Sequence, residues 1–154
     1  MEVQQQSPKV GVGLSFAALT MLYSVMLLGV YITASHQGLS CPDWPLCPNG
    51  FALPSERHFF EHYHRVMVII TAALIYMTAA YTFWNTKPAR RTAMIAAIGV
   101  SVQIVFGMLV VTLRLEPLIV AIHLSTGILL FAMTLITFLT SLRLARRRRE
   151  STTL

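Results

Sequence analysis

The sequence predicts an all-α membrane protein, a single domain of four transmembrane helices packed as an antiparallel bundle with both termini in the cytoplasm. Three observations predict it. Of 154 residues, 55% are apolar and only 12% charged, with a mean hydropathy of +0.64, whereas globular chains carry about 25% charged residues. The charged side chains are clustered, which leaves four stretches with almost none, each close to the ~20 residues that cross a hydrocarbon core. Those stretches lack two-residue alternation, so helices rather than barrel strands satisfy their backbone hydrogen bonds. A secreted, cytosolic or disordered chain is excluded.

Taken in order, residues 1–10 are polar and the first span runs from about 11 to 34. Thr33-Ala34-Ser35 loosely resembles a signal cleavage site, but a signal's apolar region is about 7–15 residues long. This run is longer, and the helix is expected to stay. The second span covers about 62–84, the third 92–113 and the fourth 117–142. Lys9 precedes the first span, Lys87, Arg90 and Arg91 separate the second and third, and Arg143 with Arg146 to Arg149 follows the fourth. Only Arg57, Arg65 and Arg114 stand on the opposite side. Because Lys and Arg collect in short cytoplasmic loops, the protein is expected in the cell membrane with residues 36–61 facing outward. The basic tail, residues 143–154, reads as an anchor at anionic lipid headgroups. The net charge of +6 does not point to nucleic acid, since the basic residues stand at span ends rather than on a face with exposed aromatics. Short connections at Lys87-Pro88 and Arg114-Leu115-Glu116 predict an up-down bundle in which spans two and four run the same way. There is no convincing internal repeat.

All five histidines lie toward the outer half: His36, His58, His62, His64 and His123. Ionisable side chains inside a span are costly and mark function. His64 enters span two by a few residues, and His123, seven past Glu116, is ~10 Å down its helix. The two imidazoles therefore come at comparable depth. A pair facing across a bundle core suits ligation of haem iron from both sides, and Gly127 and Gly107 would let a planar cofactor approach the backbone. The alternative is that each histidine hydrogen-bonds to a neighbouring helix and the glycines allow close packing.

Glu61, His64 and Arg65 share one helix face at the membrane boundary. Glu61 and Arg65 can form an ion pair that anchors the helix end. Alternatively, Glu61 is an acid/base group and Arg65 pairs with a haem propionate. His62 points about 160° away from His64. A di-iron site would need a second Glu-x-x-His motif and more glutamates, and a zinc site at His58, Glu61 and His62 lacks a fourth ligand. In the outer loop, the prolines and glycines between Gly38 and Gly50 make a tight turn that can bring Cys41 and Cys47 together, and an oxidising exterior favours their disulfide. Trp44 reads as an interfacial anchor, and the Gln103 amide needs a partner on another helix.

Four features resemble the haem A synthase family, and specifically one four-helix half of it. They are Gly38-Leu39-Ser40-Cys41-Pro42-Asp43-Trp44-Pro45-Leu46-Cys47, Glu61-x-x-His64-Arg65, Gln103-x-x-x-Gly107 and His123. The resemblance implies a membrane oxidoreductase that converts the ring methyl of haem O to the formyl of haem A for terminal oxidase assembly. It implies haem as cofactor (haem b, haem O or haem A), His64 and His123 as axial ligands of the iron, Glu61 as the catalytic or orienting carboxylate, and Cys41–Cys47 as the disulfide of the first outer loop. The family's usual form has eight spans in two halves. A four-span chain would restore that arrangement by pairing with a second copy, so a homo-oligomer, a dimer, is expected. Further partners implied are a haem O synthase and an external electron acceptor, since no flavin or nicotinamide fingerprint is present. The competing reading is a bis-histidine b-type electron carrier or a haem carrier in oxidase assembly. A quinone-linked disulfide oxidoreductase ranks below these, because it needs more than one cysteine pair.

Overall fold

A computed structural model describes residues 8–45, 47–48, 50, 52 and 55–152; the polar residues 1–7 and the loop positions Leu46 and Asn49 lie outside the described residues. The described residues form helices α1 (Pro8–Ala34), α2 (Phe59–Asn85), α3 (Lys87–Thr112) and α4 (Pro117–Thr152), with a 3₁₀ turn (Glu56–His58) leading into α2 and no strand among them. All four helices are long and apolar enough to cross a membrane. The protein is an all-α membrane protein.

Local chemistry explains where the helices start and stop. Pro88 occupies the first turn of α3, where its missing N–H is not needed. Glu116 caps α4: the Ile119 amide donates to its side chain at 3.0 Å. Helices α1 and α3 end alike. Gln37 N–H reaches Ile32 O and His36 N–H reaches Thr33 O, just as Leu115 N–H reaches Val110 O and Arg114 N–H reaches Val111 O. This is the Schellman pattern, in which the residue past the helix is left-handed. Here His36 (φ 58°) and Arg114 (φ 53°) take that position, so exposed His36 serves as a helix terminator. Helix α4 continues through the arginine run to Thr152, because Leu, Ala and Arg are good helix formers and no Gly or Pro interrupts them.

Thr86 alone joins α2 to α3, and residues 113–116 join α3 to α4. Helix α1 packs against α2 and α4, and α3 packs against the same two. The four therefore form a ring with α2 and α4 on the diagonal. Its centre is built from small residues: Ala18, Ala72, Ala79, Ala93, Ala96 and Ala97 surround Leu22, Ile75, Val100 and Leu130. In lipid the helices gain little from hiding apolar surface, so close approach and packing hold them together. Buried threonines fit this scheme by returning their hydroxyls to the carbonyl one turn back, as Thr71, Thr78, Thr134 and Thr137 do. Thr137 Oγ1 also lies 2.9 Å from Thr92 Oγ1, tying α4 to α3.

Ala93 is 1% exposed at the centre of this packing. Ala93→Leu should lower stability by about 1–3 kcal/mol through overpacking, read as an earlier thermal transition in detergent. Ile98→Ala, on the lipid face at 63% exposure, should stay within about 0.5 kcal/mol of the parent.

Candidate functional site

The long connection between α1 and α2 folds over one end of the bundle and is fastened there by two residues of α2. Glu61 is 5% exposed. Its Oε2 accepts hydrogen bonds from Ser40 Oγ at 2.8 Å and from the Cys41 amide at 2.9 Å, and its Oε1 pairs with Arg65 Nη2 at 2.6 Å. Arg65 also donates to the backbone carbonyl of Cys41 at 3.0 Å and to that of Asp43. The i,i+4 ion pair is thus present, and both its members reach out to the loop. The loop is closed on itself by the Cys41–Cys47 disulfide, with Cα atoms 5.0 Å apart and Cys41 fully buried. Gly38 completes the fit: a Cβ there would stand 3.1 Å from Leu115 Cδ2 of the α3–α4 connection.

Beneath this lid lie the two imidazoles. His64 is five residues into α2 and His123 six residues into α4, at ends that face the same way. At about 1.5 Å per residue their depths agree to within ~2 Å. Each ring rests against a glycine of the preceding helix. A Cβ on Gly29 of α1 would stand 3.1 Å from His64 Cε1, and one on Gly107 of α3 would stand 3.7 Å from His123 Cε1. Gly29 and Gly107 each lie five residues before the end of their helix. The α1–α2 and α3–α4 hairpins therefore repeat one arrangement, a feature that side-chain identity along the chain does not display. His64 lies within electrostatic reach of His123, Glu61 and Arg65.

Neither His64 Nδ1 nor His123 Nδ1, both buried, has a hydrogen-bond partner. His64 donates a hydrogen bond to the Val25 backbone carbonyl of α1, the interhelical bond of a packed histidine, whereas between α3 and α4 no such bond comes from His123 Nδ1. Gln103 makes it instead: its Nε2 donates to the His123 carbonyl at 3.0 Å and to Thr126 Oγ1 at 2.8 Å. It thereby clamps the turn of α4 that carries His123. Gly127 leaves the space, since a Cβ there would stand 3.4 Å from Gln103 Nε2. Two imidazoles with unpartnered buried nitrogens, each backed by a glycine, are a donor set that fits a haem iron between the diagonal helices.

The remaining candidates fall elsewhere. His62 is buried, and His58 is half-buried with an unpartnered Nδ1. Among the described residues no three His, Cys, Asp or Glu side chains converge. Trp44 is 42% exposed at the loop surface. Sequence reasoning missed Gly29 and the role of Ser40. Gly29 was open to discovery, because its distance from the end of α1 matches that of His64 from the start of α2. Ser40 stood in the loop motif, but its bond to Glu61 carried no signal, since only the folded loop brings the two together.

Residues 55–154 match the cytochrome oxidase assembly protein family. The chain is similar to a protein named heme A synthase from Lysinibacillus sphaericus, at 29% identity over 121 residues covering 72% of this chain and 38% of that one. It is similar to proteins of the same name from Geobacillus thermodenitrificans, at 30% identity covering 84% and 42%, and from Shewanella oneidensis, at 25% identity covering 75% and 41%. The chain spans about two fifths of the length of these curated relatives.

Arg65→Ala would strand the Glu61 carboxylate. The expected cost is about 3–5 kcal/mol, the usual result of removing one partner of a buried pair, together with faster hydrogen exchange at the Cys41 amide. Arg65→Lys should recover only part of this, because a point charge cannot reach both loop carbonyls and Glu61. Unchanged exchange at Cys41 in Arg65→Ala would show that the pair does not hold the loop.

Proposed function

The chain belongs to the cytochrome oxidase assembly protein family, and from that premise we propose that it oxidises the ring methyl of haem O to the formyl of haem A for terminal oxidases. The observation that carries this reading is the His64–His123 pair, matched in depth on diagonal helices and backed by Gly29 and Gly107. His64 and His123 would hold the haem iron. When bound, haem supplies the redox chemistry that a protein side chain cannot.

The chain's own residues bind, orient and seal. Gln103 fixes the register of His123. The disulfide-closed loop, held by Glu61 and Arg65, covers the end of the bundle and limits the entry of water. Glu61 is the carboxylate nearest the pair and is assigned as the group that moves or steers a proton. Arg65 adds positive charge beside His64, which suits a haem propionate. Converting the methyl to a formyl takes its oxygen atom from a water molecule and releases four electrons and four protons, so the electrons leave to an external acceptor, and a haem O synthase is the natural source of substrate. The charge pattern supports a location in the cell membrane with both termini cytoplasmic and the disulfide loop outside. Two copies would together supply the two halves of the longer relatives, as a two-fold homo-oligomer.

One observation favours a second reading. Glu61 already accepts from Ser40, Cys41 and Arg65, and a carboxylate so engaged suits a bis-histidine electron carrier or haem carrier as well as an oxidase.

Co-expression with a haem O source, followed by chromatography of extracted pigment, separates the two readings. The synthase yields haem A; a carrier returns its haem unchanged. His64→Ala and His123→Ala should each abolish the Soret band, and a full band in both would overturn every haem reading. Glu61→Gln should keep the band and stop conversion; normal turnover would remove Glu61 from the chemistry. Gly29→Val places a side chain against the His64 ring and should weaken haem retention, while Gly13→Val on the same helix, with nothing within 4 Å, should not.

A further inference from the structure

Far from the imidazoles, at the opposite end of the bundle, the surface of α3 carries two adjoining depressions. One, of about 500 Å³, is lined by Lys87, Arg90, Arg91, Met94 and Ile95. The other, of about 430 Å³, is a groove between α2 and α3 whose walls include Tyr76, Ala80, Trp84, Met94 and Ile98. Met94 lines both, so they form one furrow with a cationic mouth and an apolar floor. We propose that this furrow binds one anionic phospholipid, with its phosphate held by Lys87, Arg90 and Arg91 and an acyl chain lying between α2 and α3.

Charge complementarity identifies the headgroup. Lys87, Arg90 and Arg91 stand at i, i+3 and i+4 and so share one helix face. None of them forms an ion pair with any described residue. Arg90 is braced with its guanidinium carbon 3.6 Å above the Phe83 ring, which holds the charge where the two depressions meet. A phosphate diester offers the anionic oxygens that such a cluster accepts.

The groove distinguishes a lipid from a free anion. Its polar hydroxyls, Tyr76 and Ser101, are bonded to each other at 2.8 Å, so the rest of its surface is apolar. From Arg91 to Ser101 the helix rises ~15 Å, the depth of one leaflet of a ~30 Å hydrocarbon core. A second copy of the chain is a poorer occupant, because a two-fold contact across this face would bring two sets of three cations together. Arginines near the end of α4 attract anionic membrane diffusely, whereas the furrow provides a shaped site.

Native mass spectrometry of the detergent-solubilised protein tests the proposal, with phosphatidylglycerol, phosphatidylcholine of the same acyl chains, and glycerol phosphate as probes. One phosphatidylglycerol should be retained per chain, with the other two probes bound much more weakly. Neutralising Lys87, Arg90 and Arg91 together to Gln should weaken that binding by about a hundredfold, at about fivefold per basic residue. Ala80→Trp, which fills the groove and leaves the charge intact, should also release the lipid. If that variant fails to fold, Ile98→Trp fills the same groove from a lipid-exposed position. Neutralising Arg146 to Arg149 should leave the retained lipid in place. Four results would overturn the proposal: undiminished binding in the triple variant, an equal loss in the tail variant, glycerol phosphate binding as tightly as the lipid, or a protein dimer in place of lipid that the groove-filling variant dissociates.

Discussion

Because α2 and α3 are joined through Thr86 alone and α3 and α4 through four residues, and α2 and α3 are nearly equal in length at 27 and 26 residues, α2 and α4 are forced to begin at a common level. The geometry of the site depends on that register. Short connections make sequence neighbours antiparallel neighbours in space, which places α2 and α4 on the diagonal and pointing the same way. Two histidines at nearly equal distances from the starts of those helices then reach the same depth from opposite sides. Lengthening either connection by a few residues would relax the constraint that brings His64 and His123 to one level.

The lid over the site is fastened by electrostatics rather than by apolar contact. A buried ion pair is weak evidence for stability in itself, because desolvation offsets much of the attraction. Glu61 and Arg65 differ from an isolated pair in what else they hold. Each spends its remaining hydrogen-bonding capacity on the backbone or hydroxyl groups of Ser40, Cys41 and Asp43, groups that would otherwise have to find partners at the membrane boundary. The network therefore fixes the position of the disulfide-closed loop as well as the first turns of α2. It also places the one buried glutamate among the described residues beside His64, so a structural anchor and a candidate proton-handling group are the same residue.

Toward the basic end the bundle is held by alanines and by threonines that satisfy their own hydroxyls, which lets the backbones come close without leaving polar groups unpaired in lipid. The two ends thus solve different problems. One is tightly packed and ends in a cationic rim. The other seats the His64 and His123 rings against Gly29 and Gly107 and the Gln103 amide against Gly127.

Much of the fold was legible in the sequence because its signals are local. Apolar run length predicts the spans, Lys and Arg placement predicts an orientation, and the depth of His64 and His123 follows from counting residues from the helix ends. The Cys41–Cys47 pairing was legible in part, since a loop with Pro42 and Pro45 between the cysteines can turn tightly and an oxidising exterior favours the bond. What only the tertiary structure decided involves partners distant in the chain. Ser40 and the Cys41 amide meet Glu61 across about twenty residues, Gly29 meets His64 across two helices, and the furrow beside Arg90 exists only where α2 lies against α3. Periodicity specifies which face of a helix is apolar, but it carries no information about which neighbour that face will meet. That choice is made by packing all four helices at once.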